Sequence, residues 1–273
     1  MSANNQTLHL PRILCLHGGG TNARIFKAQC RRLITQLECD FRLVFAEAAF
    51  PSNAGSDVLS VYSQWGPFKR WLRWRPDHPW VPPEQIVEAL DHQLNEAMRQ
   101  DDAQGATGKW VALLGFSQGA KVAASLLYRQ QLRQELSGKS HVDPTDFQFG
   151  ILLAGRAPLV SLDVGLSPGL PSAAEITDCP DINQKHTYRG GHVLRIPTLH
   201  VHGLKDKGLH LHQQLFEEFC DPGTRRLIEW DGDHRVPLKA QDVSTVALQI
   251  RELARESGCV LSGVNSNKAL GIR

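Results

Sequence analysis

The sequence predicts an α/β fold built on a doubly wound, mostly parallel sheet, and three observations carry that prediction. Six short apolar runs alternate along the chain with segments in which apolar residues recur at helical spacing. The first of them, "RILCLH", is a short apolar run closed by a glycine-rich loop, as a parallel strand buried on both faces is when it feeds a loop. Several of them end in glycine or in other turn residues, as strands that feed loops at a sheet edge do.

The first strand is read at "RILCLH", residues 12–17, closed by "GGGTN". A helix should follow from Asn22, a side chain suited to an N-cap, with Ile25, Phe26, Cys30, Leu33, Ile34 and Leu37 on one stripe. "FRLVFAEA" gives the second strand. Pro82-Pro83 then open a helix through about Arg99, with Ile86, Val87, Leu90, Leu94 and Met98 aligned. "KWVALLG" is the third strand and "QGAKVAASLLYRQQL" the helix behind it; strands at "FQFGILLAG", "IPTLHVHG" and near "TRRLIEW" complete the sheet, and "TVALQIRELARES" is the last helix. Two stretches interrupt the alternation. Residues 50–82 hold four of the six tryptophans, which marks them as an aromatic cap rather than a plain crossover. Residues 156–195 are rich in Pro, Gly and Asp and read as a second insertion. The expected organisation is one domain over 1–273, with its core at about 10–255 and a loose tail at about 257–273.

Composition narrows the function. With 273 residues, 41% of them hydrophobic, the chain can bury one sizeable core. A net charge of +2 lacks the basic excess of a nucleic-acid binder. No apolar stretch approaches the roughly 18 residues that span a bilayer, and "MSANNQTLHLPR" has no signal-like pattern, so a soluble cytoplasmic protein is expected. The six cysteines (15, 30, 39, 179, 220 and 259) form no CxxC pair and read as reduced, mostly packed thiols.

The chemistry is concentrated at "LLGFSQGA". In G-x-S-x-G a serine occupies a strained strand-to-helix turn, and its neighbours at two before and two after must be small because the backbone doubles back on itself. Gly115, Ser117 and Gly119 meet that requirement. A serine hydroxyl needs a general base and the base needs an orienting carboxylate, which follow such a turn in the chain order Ser, Asp, His. His234, in the turn-rich "DGDHRVP" after the sixth strand, is the candidate base, and Asp206 in "HGLKDKG" after the fifth is the candidate acid. Asp231 and Asp233 are the alternative carboxylates, too near His234 in sequence to reach its far nitrogen easily; His200, His202, His210 and His212 read as packing or surface histidines. The oxyanion donors expected are the backbone N–H groups of Gln118 and Gly19, with Gly20 second to Gly19. "HGGGTN" lacks the spacing of a nucleotide-binding loop. The pair His200 and His202 on one strand face has no evident third ligand, so no metal and no cofactor is expected. Within the cap, Trp65, Phe68, Trp71 and Trp74 are the candidate substrate-binding residues. The cations between them read as solvated, with a nucleic-acid surface or an acidic carrier protein as alternatives.

The segments "ILCLHGGGTNARIFKAQ", "GPFKRWLRW", "LLGFSQGA", "PTLHVHGLKD" and "DGDH", in this order over about residues 10–255, resemble the FSH-type serine hydrolases of the α/β-hydrolase superfamily. The resemblance implies Ser117, Asp206 and His234 as a triad and hydrolysis of an ester or thioester. Several fungal relatives of this type sit in polyketide pathways, so the expected substrate is a small-molecule ester or thioester of an apolar acyl group. An acyl carrier domain of a synthase is a further conceivable partner. A general carboxylesterase and a non-catalytic ligand-binding scaffold on the same fold are the alternatives.

Overall fold

The computed structural model describes residues 6–137, 145–163, 165–177 and 191–261. Its main sheet is made of β1 (Arg12–Leu16), β2 (Arg42–Ala46), β5 (Trp110–Phe116), β6 (Phe149–Leu153), β7 (Thr198–Gly203) and β8 (Arg225–Trp230). A two-stranded ribbon, β3 (Phe50–Pro51) with β4 (Lys69–Arg70), stands apart. The helices are α1 (Ala23–Gln29), α2 (Arg31–Leu37), α3 (Ser56–Tyr62), α4 (Pro83–Ala103), α5 (Gln118–Ser137), α6 (Leu209–Phe219) and α7 (Ala240–Glu256).

Every strand of the main sheet runs parallel to its neighbours, in the order β2-β1-β5-β6-β7-β8. Strands β1, β5, β6 and β7 are buried along almost their whole length, which is why their sequences carry no polar alternation. Their side chains nevertheless divide by the period of two: Leu14 and Leu16 join the core under α4, α5 and α6, whereas Ile13 and Cys15 join the one under α1, α2 and α7. The chain first winds outward from β1 to β2 and then restarts at β5 on the other side of β1. Loops leaving the carboxyl ends of β1 and β5 therefore diverge, and a crevice opens between them.

Three elements differ from the sequence-based expectation. The helix anticipated as continuous from Asn22 is two helices, because at Cys30 the backbone leaves the helical region and its N–H is shared between Phe26 and Ala28 carbonyls. Asn22 does cap the first, accepting the Ile25 N–H at 2.8 Å. The helix opened by Pro83 runs on to Ala103. Residues 50–82 contain real elements, α3 and the ribbon, too short for any periodicity to announce them.

The five described cysteines, Cys15, Cys30, Cys39, Cys220 and Cys259, are free thiols, and three of them are buried. Cys179, residues 164 and 178–190 of the 156–195 insertion, and the tail from 262 lie outside the described residues. No described helix is long and apolar enough to cross a membrane.

Candidate active site

The site is assembled at the crevice. Ser117 follows β5 directly and has φ +53°, a conformation unusual for a residue with a Cβ. The turn is so tight that a Cβ on Gly115 would lie 2.3 Å from the Gly119 carbonyl oxygen, and one on Gly119 would lie 2.1 Å from that of Leu16. Both glycines are thus required by contact distance. The Ser117 N–H is anchored on the Leu153 carbonyl of β6 at 2.9 Å, and α5 begins at the next residue with its N-terminus facing the crevice.

Ser117, His234 and Asp206 converge from three loops. The Ser117 Oγ lies 2.9 Å from His234 Nε2, and His234 Nδ1 lies 2.5 Å from Asp206 Oδ2, so a hydroxyl-to-imidazole-to-carboxylate relay is continuous. Asp206 sits almost wholly buried, with its other oxygen accepting the Gly208 N–H at 2.8 Å. Burial alone would raise its carboxyl; the hydrogen bond from His234, the imidazole charge and the Gly208 N–H outweigh it and hold the group below the usual carboxylate range. The His234 loop comes this close because β7 ends in glycine: a Cβ on Gly203 would be 2.5 Å from the Asp233 carbonyl oxygen. Asp231 and Asp233 point elsewhere, paired with Lys205 and Arg235 at the surface.

The first-strand loop completes the rim. The Gly20 N–H is taken by the Lys69 carbonyl at 2.8 Å, which leaves the Gly19 N–H open as a donor beside Gln118. Neither the Gly19 nor the Gln118 N–H is bonded within the described residues, and both residues line a cavity of about 490 Å³ that opens over Ser117. The Gln118 side chain does separate work. Its Oε1 accepts the N–H groups of Trp71 and Leu72 at 2.8 and 3.2 Å, which ties the cap to the start of α5. Sequence reasoning assigned only the backbone of Gln118 and missed this clamp, for which no local signal exists.

Of the four cap aromatics, Trp74 lies on the cavity wall and the other three do not. Trp71 is a core residue, 1% exposed, its indole N–H donating to the His17 carbonyl at 2.8 Å. Trp65 is half-buried beneath the Arg24 guanidinium and against Tyr62, and Phe68 is half-buried outside the wall. Val58, Val61 and Tyr62 of α3 line the cavity instead, an amphipathic turn too short to be recognised in the sequence.

The buried histidines are packing groups with one qualification. His200, His202 and His212 are fully buried, and burial pushes all three imidazoles below their ordinary range. His212, however, packs its Nε2 3.6 Å from Asp206 Oδ2. Among the described residues, Asp206, His212 and His234 are the one group whose ligand-type atoms gather as a metal site would require. Two of those atoms already form the Asp206–His234 hydrogen bond, so the relay accounts for the arrangement without an ion.

Comparison with known proteins gives the family and the fold. Residues 6–246 match the family described as serine hydrolase (FSH1). Curated relatives include "Esterase claE" of Penicillium crustosum, 66% identical over 93% of this chain and 97% of the relative. "Esterase citA" of Monascus ruber is 64% identical over 93% and 96%. Among solved structures, a carboxylesterase from Mesorhizobium loti shares the fold at a TM-score of 0.50 and 16% identity, covering 91% of each chain. A Bacillus cereus carboxylesterase does so at 0.50 and 14%, covering 89% of each. The α/β-hydrolase architecture and the near full-length match lead to one conclusion: the chain belongs to the serine hydrolase (FSH1) family and is a serine hydrolase of the esterase kind.

Proposed function

We propose that this enzyme hydrolyses an ester or thioester of an apolar acyl group through an acyl-enzyme on Ser117, as a cytoplasmic step of polyketide-type metabolism. The observation that carries the reading is the unbroken Ser117–His234–Asp206 relay at the floor of an open cavity. His234 Nε2 takes the hydroxyl proton as Ser117 Oγ bonds to the substrate carbonyl carbon; Asp206 holds the tautomer and offsets the imidazolium charge. The oxyanion sits toward the N–H groups of Gly19 and Gln118, reinforced by the N-terminus of α5. As the intermediate collapses, the bond to the alcohol or thiol oxygen or sulfur breaks and His234 returns the proton to it. Water then repeats the sequence on the acyl-enzyme, releasing the acid and restoring Ser117.

The acyl group faces Trp74, Phe116 and the α3 side chains Val58 and Val61, a wall suited to hydrocarbon. The polyketide setting rests on the sequence resemblance, and a carrier-bound thioester is one form in which the acyl group could arrive. The test is labelling with a fluorophosphonate, followed by a panel of matched esters and thioesters of rising acyl length. Ser117 should be the labelled residue, and Ser117→Ala should lower turnover by about 10⁴-fold. An unlabelled wild-type protein that cleaves neither series refutes the assignment; cleavage of esters alone removes the thioester half of it.

A further inference from the structure

The cavity over Ser117 is less neutral than its apolar wall suggests. Three arginines line it, Arg31, Arg156 and Arg235, against one carboxylate, Asp57. Arg235 is paired with Asp233, and Arg31 donates to the Ala28 carbonyl. Arg156 differs from both. It is half-buried and its Nε is sealed from solvent, yet among the described residues it has no hydrogen bond and no ion pair. A guanidinium whose Nε is sealed from solvent and unpartnered is costly to keep without a ligand to bond it.

The fold holds Arg156 at the reacting end of the cavity. It follows β6, whose Leu153 carbonyl anchors the Ser117 N–H, by three residues. Its guanidinium also lies against Gly208, where a Cβ would sit 3.0–3.2 Å from the guanidinium atoms. Gly208 is the residue whose N–H caps Asp206, so this cation is braced on the acid's own loop. Asp206 pairs with His234 and His212 and makes no ion pair with this guanidinium.

We propose that Arg156 is a specificity-determining residue whose counter-ion is the substrate: the enzyme selects esters that carry an anionic oxygen, with carboxylate as the reference chemistry, near the scissile bond. The inference rests on the serine-hydrolase reading above and adds the substrate class. A planar guanidinium fork matches a carboxylate in two parallel hydrogen bonds, and in a partly dry cavity such a pair discriminates strongly against a neutral isostere. The anion can belong to the acyl portion or to the leaving alcohol, and two pairs of substrates separate these. Mono-4-nitrophenyl adipate and its methyl ester place the charge on the acyl side. The acetyl ester of 4-hydroxybenzoic acid and that of its methyl ester place it on the leaving side.

The wild-type kcat/KM should favour the charged member by about tenfold or more in one pair, and that pair identifies the side. Arg156→Gln should bring the ratio to about one, and Arg156→Lys, which keeps the charge but loses the fork, should leave an intermediate ratio and serves if the glutamine variant does not fold. A wild-type ratio near one in both pairs overturns the proposal, as does a ratio that survives both substitutions. Fluorophosphonate labelling of the wild type is measured alongside. Labelled enzyme without charge preference overturns this inference alone, whereas unlabelled, inactive enzyme overturns the hydrolase reading with it.

Discussion

The elbow around Ser117 and the aromatic cap at residues 50–82 lie against the same cavity but obey different rules. At the elbow and at the end of β7 beside the His234 loop, backbone meets backbone: the Cβ positions of Gly115, Gly119 and Gly203 fall 2.1–2.5 Å from carbonyl oxygens of neighbouring segments. Nothing larger than hydrogen fits, so residue identity and local geometry imply each other. In the cap, side chain meets side chain at ordinary distances. Four tryptophans take four environments there: Trp71 in the core, Trp74 on the cavity wall, Trp65 under an arginine and Trp80 63% exposed. Residue type constrains the first region and leaves the second open.

The largest effect that sharpens this contrast is at the relay. Asp206→Asn should lower kcat/KM for a simple ester by about 10⁴-fold, because the amide favours the wrong His234 tautomer, while Asp233→Asn stays within about threefold. Steady-state kinetics on both variants checks it; a crippled Asp233→Asn enzyme would reassign the acid. Next is Gly119→Ala, whose added methyl overlaps the Leu16 carbonyl and should cost more than about 4 kcal/mol or prevent folding, as measured by urea denaturation.

Within the cap the two tryptophans should part company. Trp71→Ala removes a filled core site and should destabilise by about 3–5 kcal/mol. Trp74→Ala should cost about 1 kcal/mol or less and instead shift the preference between short and long acyl esters. Equal stability losses without a change in chain-length preference would return Trp74 to the class of structural cap residues.

A further effect concerns acid. His200, His202 and His212 are buried neutral, with His202 pushed down to about 4 by burial. Their ordinary value in the unfolded chain is about 6.5, so below that pH the unfolded state binds protons that the folded state refuses. Stability should therefore be full above about pH 7 and fall as the pH drops toward about 4, by up to about 1.4 kcal/mol per pH unit for each imidazole. His202→Gln should flatten that slope in thermal melts between pH 7 and pH 5, if it retains the fold at pH 7. An unchanged slope would place the acid sensitivity elsewhere.

Much of the fold was readable because its four central strands are covered on both faces and its helices on one, so apolar pattern and burial coincide. The same holds for Gly115, Ser117 and Gly119, where a local turn excludes other residues, and for Asp206 and His234, whose place in chain order follows from parallel strands delivering loops to one edge. Local contact distances and chain order are enough to place those features. Tertiary structure alone decided the break at Cys30, the clamp of Gln118 on the cap, the burial of Trp71 and the isolation of the Arg156 guanidinium. The last three depend on which distant segment arrives beside the residue. Gln118 meets Trp71 and Leu72 across 46–47 positions, and Arg156 meets Gly208 only because β6 and β7 are neighbours. Short-range periodicity carries no record of such meetings, since their energy is realised only when the sheet has brought the two loops together.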